Sequence, residues 1–254
     1  MKSSKELFND WIPPAIARRL RKSRLPKVGA RPLYQLDTKL ARFLPPHGTY
    51  IEIGANDGLS QSNTWWLERD RGWSGLLIEP ALNRFLELVR NRGSENSFAC
   101  TACMSPDYLD DHINLIYADL MTTSEVSDLI ELEPESHTSR LQDKSVNRVR
   151  FSAPVTTLSA LIDTFGLPST IDFLSVDVEG AELHVLGGLD LTRHRVRYLL
   201  VETRDQDVVA QWLEQFGYKL LAVLTHHDFL FAPVSDSGDK DQGLSEMSGD
   251  HLSS

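Results

Sequence analysis

The chain has 254 residues and is acidic, with 26 Lys and Arg against 36 Asp and Glu and a formal net charge of −10. That length can bury a substantial core as a single domain, and the charge opposes nucleic-acid binding by phosphate neutralisation. No apolar run approaches the roughly 18 residues of a membrane span, and no long apolar stretch marks a secretory signal, so the expected location is cytoplasmic.

The charge is unevenly spread. Residues 1–31 hold nine Lys or Arg against two Asp or Glu, a local +7 that leaves −17 on the remainder. Trp11, Ile12, Ala15, Ile16 and Leu20 recur at helical spacing around Pro13 and Pro14, with Arg18, Arg19, Arg21, Lys22 and Arg24 interleaved or following. A basic amphipathic helix of this kind either rests peripherally on an anionic membrane through residues 5–25, at its inner face, or packs on the domain with a solvated face. Leu33 to Leu44 reads as a further helix, stopped by Pro45 and Pro46.

Thr49 to Ile53 is a short apolar run carrying Glu52, and it passes into a turn hinged by Gly54 and Gly58. Ser60, Ser62 and Thr64 are helix N-cap types ahead of Trp65, Trp66 and Leu67. Gly75 to Pro80 reads as a second buried strand ending in Glu79, Ala81 to Arg90 as a helix and Ser97 to Ala102 as a third strand. Alternating helices and continuously apolar strands predict a parallel sheet covered on both faces. Cys100 and Cys103 form the only cysteine pair. With no second pair to complete a zinc site and no helix opening at the motif, they read as core thiols.

Residues 104–150 are polar and charged, with one alternating piece near His112 to Tyr117 and a weak helix from Ser124 to Leu132. They are expected to be an insertion or lid. Regular patterning resumes at Val155 to Leu158, followed by a helix from Ser159 to Phe165, a strand from Ile171 to Val176 and a helix from Ala181 to Leu186. A strand from Val196 to Val201 then ends at Glu202, a helix runs from Val208 to Phe216, and Tyr218 to Leu224 with Asp228 to Ala232 make a hairpin around His226 and His227. The Ser-, Asp- and Gly-rich residues 234–254 read as a disordered tail, leaving 32–233 as the domain.

In open parallel sheets ligands bind beyond the carboxyl ends of the strands, and acidic residues fall there: Glu79, Asp177 and Glu202, with Glu52 on the first strand. Glu79 follows Gly58 by 21 residues, the separation at which a carboxylate on the second strand reaches ribose hydroxyls. A dinucleotide fingerprint starting at Gly54 would need glycines where Asn56 and Leu59 stand, and no P-loop lysine is present. That opposes an NAD(P)-dependent oxidoreductase, while a cofactor-binding module without catalysis is opposed by the presence of both Asp177 and Glu179. His226-His227-Asp228 could suggest a metal site, but a polar hairpin tip explains it more simply.

Two separated blocks carry a family resemblance. Glu52-Ile53-Gly54-Ala55-Asn56-Asp57-Gly58, Ser62-Asn63-Thr64 and Leu77-Ile78-Glu79-Pro80 form the first, and Thr156-Thr157-Leu158, Ile171 to Leu174, Asp177 to Glu182 and Val201-Glu202-Thr203 the second. In this order they resemble the FkbM family of S-adenosylmethionine-dependent methyltransferases. The resemblance implies an α/β, class I (Rossmann-like) methyltransferase fold with a seven-stranded, mostly parallel sheet whose last strands are antiparallel. It further implies that Gly54, Asn56 and Gly58 shape the cofactor loop, Glu52 and Asp57 orient the methionine part, and Glu79 holds the ribose. The strand end Thr101 to Cys103, with Ala102 at its centre, would then face adenine, and Asn63 and Thr64 would serve in helix capping or cofactor contact.

The implied reaction is O-methylation of a sugar, glycan or secondary-metabolite hydroxyl. Asp177, beside the switch in strand order, is the first candidate for the base that removes the hydroxyl proton, and Glu179 is the second. A divalent metal held by Asp177 and Glu202 is the less favoured alternative. The partner expected is a small-molecule or glycan acceptor, not a nucleic acid.

Overall fold

A computed structural model describes residues 35–118, 121–124 and 148–234. The basic segment 1–31, the tail 235–254 and most of the expected helix at Ser124 to Leu132 lie outside the described residues; Ser124 itself ends a strand.

The expected strand and helix alternation is present. α1 (Leu36–Leu40) leads to β1 (Thr49–Ile53), α2 (Trp65–Arg71), β2 (Ser74–Ile78), α3 (Leu82–Asn91) and β3 (Ser97–Ala99). After a second, smaller sheet come α4 (Leu158–Phe165), β8 (Thr170–Val176), α5 (Glu182–Gly187), β9 (Arg195–Glu202), α6 (Gln206–Glu214), β10 (Tyr218–Val223) and β11 (Asp228–Pro233). The main sheet runs β10-β11-β9-β8-β1-β2-β3. Pairing is parallel from β9 through β3, and β11 is antiparallel to both β9 and β10. Of the last strands only β11 is therefore reversed; two antiparallel steps return β10 to the direction of the rest.

Alternate side chains of each strand build the two faces. Ile51, Ile53, Leu174, Val176, Leu199 and Val201 pack with Leu161 and Ile162 of α4, Val185 of α5 and Leu213 of α6. Tyr50, Leu77, Phe173 and Leu200 pack on the other face with Leu40 of α1, Trp66 of α2 and Leu88 of α3. Because both faces are covered, the central strands are buried along almost their whole length and read as continuous apolar runs. Among the described residues no helix is long and apolar enough to cross a membrane.

The third strand is shorter than its apolar run suggests. β3 stops at Ala99, and the chain turns to place β4 (Ala102–Cys103) in a four-stranded sheet ordered β4-β7-β5-β6, with β5 (His112–Ala118), β6 (Met121–Ser124) and β7 (Arg148–Thr156). The Thr101 hydroxyl fixes the turn by donating to the Pro154 carbonyl (2.8 Å). The described part of the expected insertion is therefore largely a β-layer, β5 pairing antiparallel with β7 from His112 opposite Pro154 to Ala118 opposite Arg148. Its core of Met104, Ile113, Leu115 and Ala153 is small. The C-x-x-C thiols are structural: burial pushes Cys103 up to about 12, and burial with the neighbouring Glu79 pushes Cys100 up to about 11.

One buried cation ties the first half of the sheet together. Arg92, just past α3, is 4% exposed. Its Nε donates to Glu68 (2.6 Å), one terminal nitrogen to Glu52 (3.3 Å), Ser62 (3.1 Å) and the Gly58 carbonyl (3.2 Å), and the other to the Tyr50 hydroxyl (2.7 Å) and Thr64 (2.9 Å). The fork of the guanidinium uses every N–H it has. Removing one partner of a buried ion pair strands the other, so Arg92→Met is expected to lower unfolding stability by about 3–5 kcal/mol in chemical denaturation. Arg92→Lys should recover less than half of the loss, since an ammonium cannot span these acceptors.

Candidate active site

β1 and β8 are neighbours, while the chain after β1 goes to β2 on the opposite side, so the switch in strand order lies between the carboxyl ends of β1 and β8. The cleft there is lined by residues from the β1 loop, the ends of β2, β4, β8 and β9, and the start of β11.

The β1 loop is built for close approach. Gly54 has φ +80°, and a Cβ there would lie 1.8 Å from the Asp177 carbonyl oxygen, so β1 and β8 can meet at this point only through glycine. The N–H groups of Gly54 and Ala55 both donate to the Ile78 carbonyl (3.1 and 3.0 Å), closing the loop against β2. Asn56 is held at φ 48°, its N–H donating to Glu79 Oε2 (2.9 Å), and its Oδ1 is buried without a hydrogen-bond partner. The other oxygen of Glu79 accepts from the Ala81 N–H (2.8 Å). Burial nonetheless pushes the Glu79 carboxyl up to about 7, against these two backbone donors.

Several predicted residues stand behind this surface. Asp57 closes its own loop, accepting from the Leu59 and Ser60 N–H groups (2.9 and 2.7 Å) and the Ser60 hydroxyl (2.8 Å). Gly58 is packed against Leu88 and Arg92, and Thr64 is fully buried, donating to Glu52 (2.6 Å). Glu52 reaches the cleft wall, but its carboxylate is engaged by Ser62, the Asn63 N–H, Thr64 and Arg92. The Asn63 side chain donates to Ser175 (3.1 Å), linking the loop to β8. Ser62, rather than Thr64, caps α2 by accepting from the Trp65 N–H (3.1 Å). The cleft does bring together Glu52, Gly54, Asn56, Asn63, Glu79, Ala102, Asp177, Glu179 and Glu202.

Across from β2, the carboxyls of Asp177 and Glu202 are hydrogen-bonded to each other. Both are held above the ordinary carboxylate range, Asp177 by burial and then by Glu202, Glu179 and Asp228, and Glu202 by burial and then by Asp228 and Glu179. Glu179 sits at φ 54° in the turn between β8 and α5, where Glu182 accepts from the Gly180 N–H (2.8 Å). Among the described residues no group of three or more His, Cys, Asp or Glu is placed to hold a metal ion. Asp228 and His227 also line the cleft, which sequence reading assigned to a hairpin tip. The signal that could have found them is the antiparallel pairing of Asp228 with Glu202.

A seven-stranded sheet with one reversed strand, a glycine loop after β1 and an acid at the end of β2 define a class I methyltransferase. The family model described as Methyltransferase FkbM domain matches residues 52–220, and the chain belongs to that family. No curated protein matches the chain in sequence. Among solved structures it is similar to M. capricolum TrmK in complex with the natural cofactor product S-adenosyl-homocysteine, at 7% identity and a TM-score of 0.41 over 80% of this chain and 68% of that one. It is also similar to the N-terminal domain of human METTL16, at 14% identity and a TM-score of 0.39 over 83% of this chain and 72% of that one. Likeness this distant says nothing about the acceptor. The chain is a methyltransferase with S-adenosylmethionine as its cofactor, and the unpartnered Asn56 Oδ1 and the Glu79 carboxylate fit the amine and hydroxyl donors of that molecule.

Raised carboxyl pKa values give a signed dependence of stability on pH. The folded state binds more protons than the unfolded one at Glu79, Asp177, Glu202 and Asp228, so their contribution is complete below the unfolded carboxyl values and is lost as pH rises through the folded ones. The apparent Tm contribution of these carboxyls is expected to fall as pH rises from about 4.5 to about 7.5, with a shallower slope in Glu202→Gln. His227, lowered by burial and His226, acts in the opposite sense only below its ordinary 6.5.

Proposed function

We propose that the chain methylates a hydroxyl oxygen of a sugar, glycan or secondary metabolite, with Asp177 as the base and Glu202 sharing its proton. The observation that carries this reading is the hydrogen-bonded carboxyl pair in the same cleft as the glycine loop. When bound, S-adenosylmethionine supplies an electrophilic methyl carbon and departs as neutral S-adenosylhomocysteine. Glu79 then accepts from the ribose hydroxyls, Asn56 Oδ1 from a donor of the cofactor, and Gly54 keeps the approach to the loop open.

The chain's chemical task is to remove one proton. An oxygen nucleophile loses its proton as the new C–O bond forms, and a carboxylate whose proton affinity is raised by burial and neighbouring carboxyls is a stronger base than an ordinary one. Glu202, hydrogen-bonded to Asp177, spreads the incoming proton over two carboxyls that repel when both are ionised. Glu179, in the same turn, adds negative charge beside them.

Asp177→Asn is expected to lower kcat by about 10²–10⁴-fold while leaving the Kd for S-adenosylhomocysteine within about twofold, read by product release and calorimetry. In the native chain kcat/KM should rise with pH through an acid limb that lies above the ordinary carboxylate range. A flat profile over that range, or an Asp177→Asn variant of undiminished kcat, would remove the carboxyl pair from the reaction.

A further inference from the structure

Glu52 was expected to orient the methionine part of the cofactor, yet Ser62, Asn63, Thr64 and Arg92 already occupy its carboxylate. A polar pair beside it is only half used. Ser175 of β8 is the register partner of Glu52 in the parallel pairing of β8 with β1, so the two side chains leave the same face of the sheet. The Ser175 hydroxyl oxygen accepts from Asn63 Nδ2 (3.1 Å). Both residues line the cleft, and they are 1% and 5% exposed.

A hydroxyl that accepts in this way sends its own hydrogen elsewhere, and among the described residues that hydrogen meets no acceptor. The Asn63 backbone is committed, its N–H to Glu52 and its carbonyl to the Trp66 indole, but its side-chain Oδ1 accepts from no donor among the described residues. The pair therefore offers the cleft one unused donor and one unused acceptor, locked to each other across the β1 loop and β8. Buried polar groups are nearly always paired, so their partners arrive with what the cleft binds. Position indicates which part of the ligand that is. Glu79 receives the ribose beyond β2 and Asp177 faces the sulfur beyond β8, so the amino-acid arm leaves the sulfur on the side away from the ribose. Ser175 precedes Asp177 on the same strand by about 6.5 Å, within reach of that short arm.

We propose that Asn63 and Ser175 form the subsite for the amino-acid end of S-adenosylmethionine, the α-ammonium donating to Asn63 Oδ1 and the α-carboxylate accepting from the Ser175 hydroxyl. The inference rests on the cofactor and is independent of the acceptor. Two neutral groups meet both charges of a zwitterion and add no net charge beside the buried Glu52 and Arg92 pair. Ser175 is a positioning residue. With the ribose held at Glu79 and the amino acid at Ser175, the sulfonium between them cannot slide along the cleft, and the methyl group stays aimed at the acceptor side.

Calorimetry on the full chain tests this with S-adenosylhomocysteine, its decarboxylated analogue, which keeps the ammonium, and methylthioadenosine, which keeps adenine, ribose and sulfur but has no amino-acid arm. The native chain is expected to bind the decarboxylated analogue about tenfold more weakly than S-adenosylhomocysteine, and methylthioadenosine about a hundredfold more weakly. Ser175→Ala should weaken S-adenosylhomocysteine about tenfold, to the level of the decarboxylated analogue, and leave the other two ligands within about twofold. Asn63→Ala should weaken both ligands that carry the ammonium and leave methylthioadenosine within about twofold. Equal binding of all three ligands by the native chain overturns the subsite without any variant. So does a Ser175→Ala chain that binds S-adenosylhomocysteine undiminished, or one that loses all three ligands alike, which is the mark of a structural role. A native chain that binds none of the three overturns the cofactor cleft itself, an outcome distinct from failure of the subsite within it.

Discussion

The structure around the cofactor loop depends on the burial of Arg92 against Glu52. A charge pair this deep repays the cost of leaving water only if the remaining donors and acceptors are also met. Here Glu68, Tyr50, Ser62, Thr64 and the Gly58 carbonyl meet them. Those partners come from β1, the loop that follows it and α2, so the guanidinium fixes the path of the chain from Tyr50 to Glu68. The loop is then free to turn its backbone and Asn56 toward the cleft.

The same cleft separates two uses of carboxylates by environment. Glu52 is neutralised by a cation and closed off by hydroxyls, which makes it part of the scaffold. Glu79 accepts from two backbone N–H groups and still opens onto the cleft, which suits it to hold a ligand. Burial and then neighbouring carboxyls raise the proton affinity of Asp177 and Glu202, whereas Asp228 is raised by burial against the Thr225 hydroxyl, His227 and Lys39. The carboxyl at the β2 end and those at the β8 and β9 ends lie on either side of one opening because the switch point in strand order sets them there.

The central strands were legible because burial on both faces leaves an unbroken apolar signature, as in Leu76-Leu77-Ile78 and Phe173-Leu174. The second sheet was not. β7 begins with Arg148 and keeps Val149 half exposed, so its pattern resembles a polar loop until β5 is known to lie beside it. The break after Ala99 was equally hidden, since the residues on both sides are apolar and the contact that turns the chain, Thr101 to Pro154, spans more than fifty residues. At the site, Gly54 and Glu79 could be placed in the cleft from spacing, and Asn56 from the family resemblance. The partner that occupies Glu52 could not, because Arg92 is forty residues away, and Asp228 acquires its meaning only from its register against Glu202.

The measurement that bears most directly on the cofactor site is a crystal structure of the full chain with S-adenosylhomocysteine. The expected density places the ribose hydroxyls on Glu79, gives Asn56 Oδ1 a donor from the ligand and turns the sulfur toward Asp177. Density for the ligand elsewhere on the molecule, with the Gly54 to Gly58 loop making no contact to it, would contradict the site described.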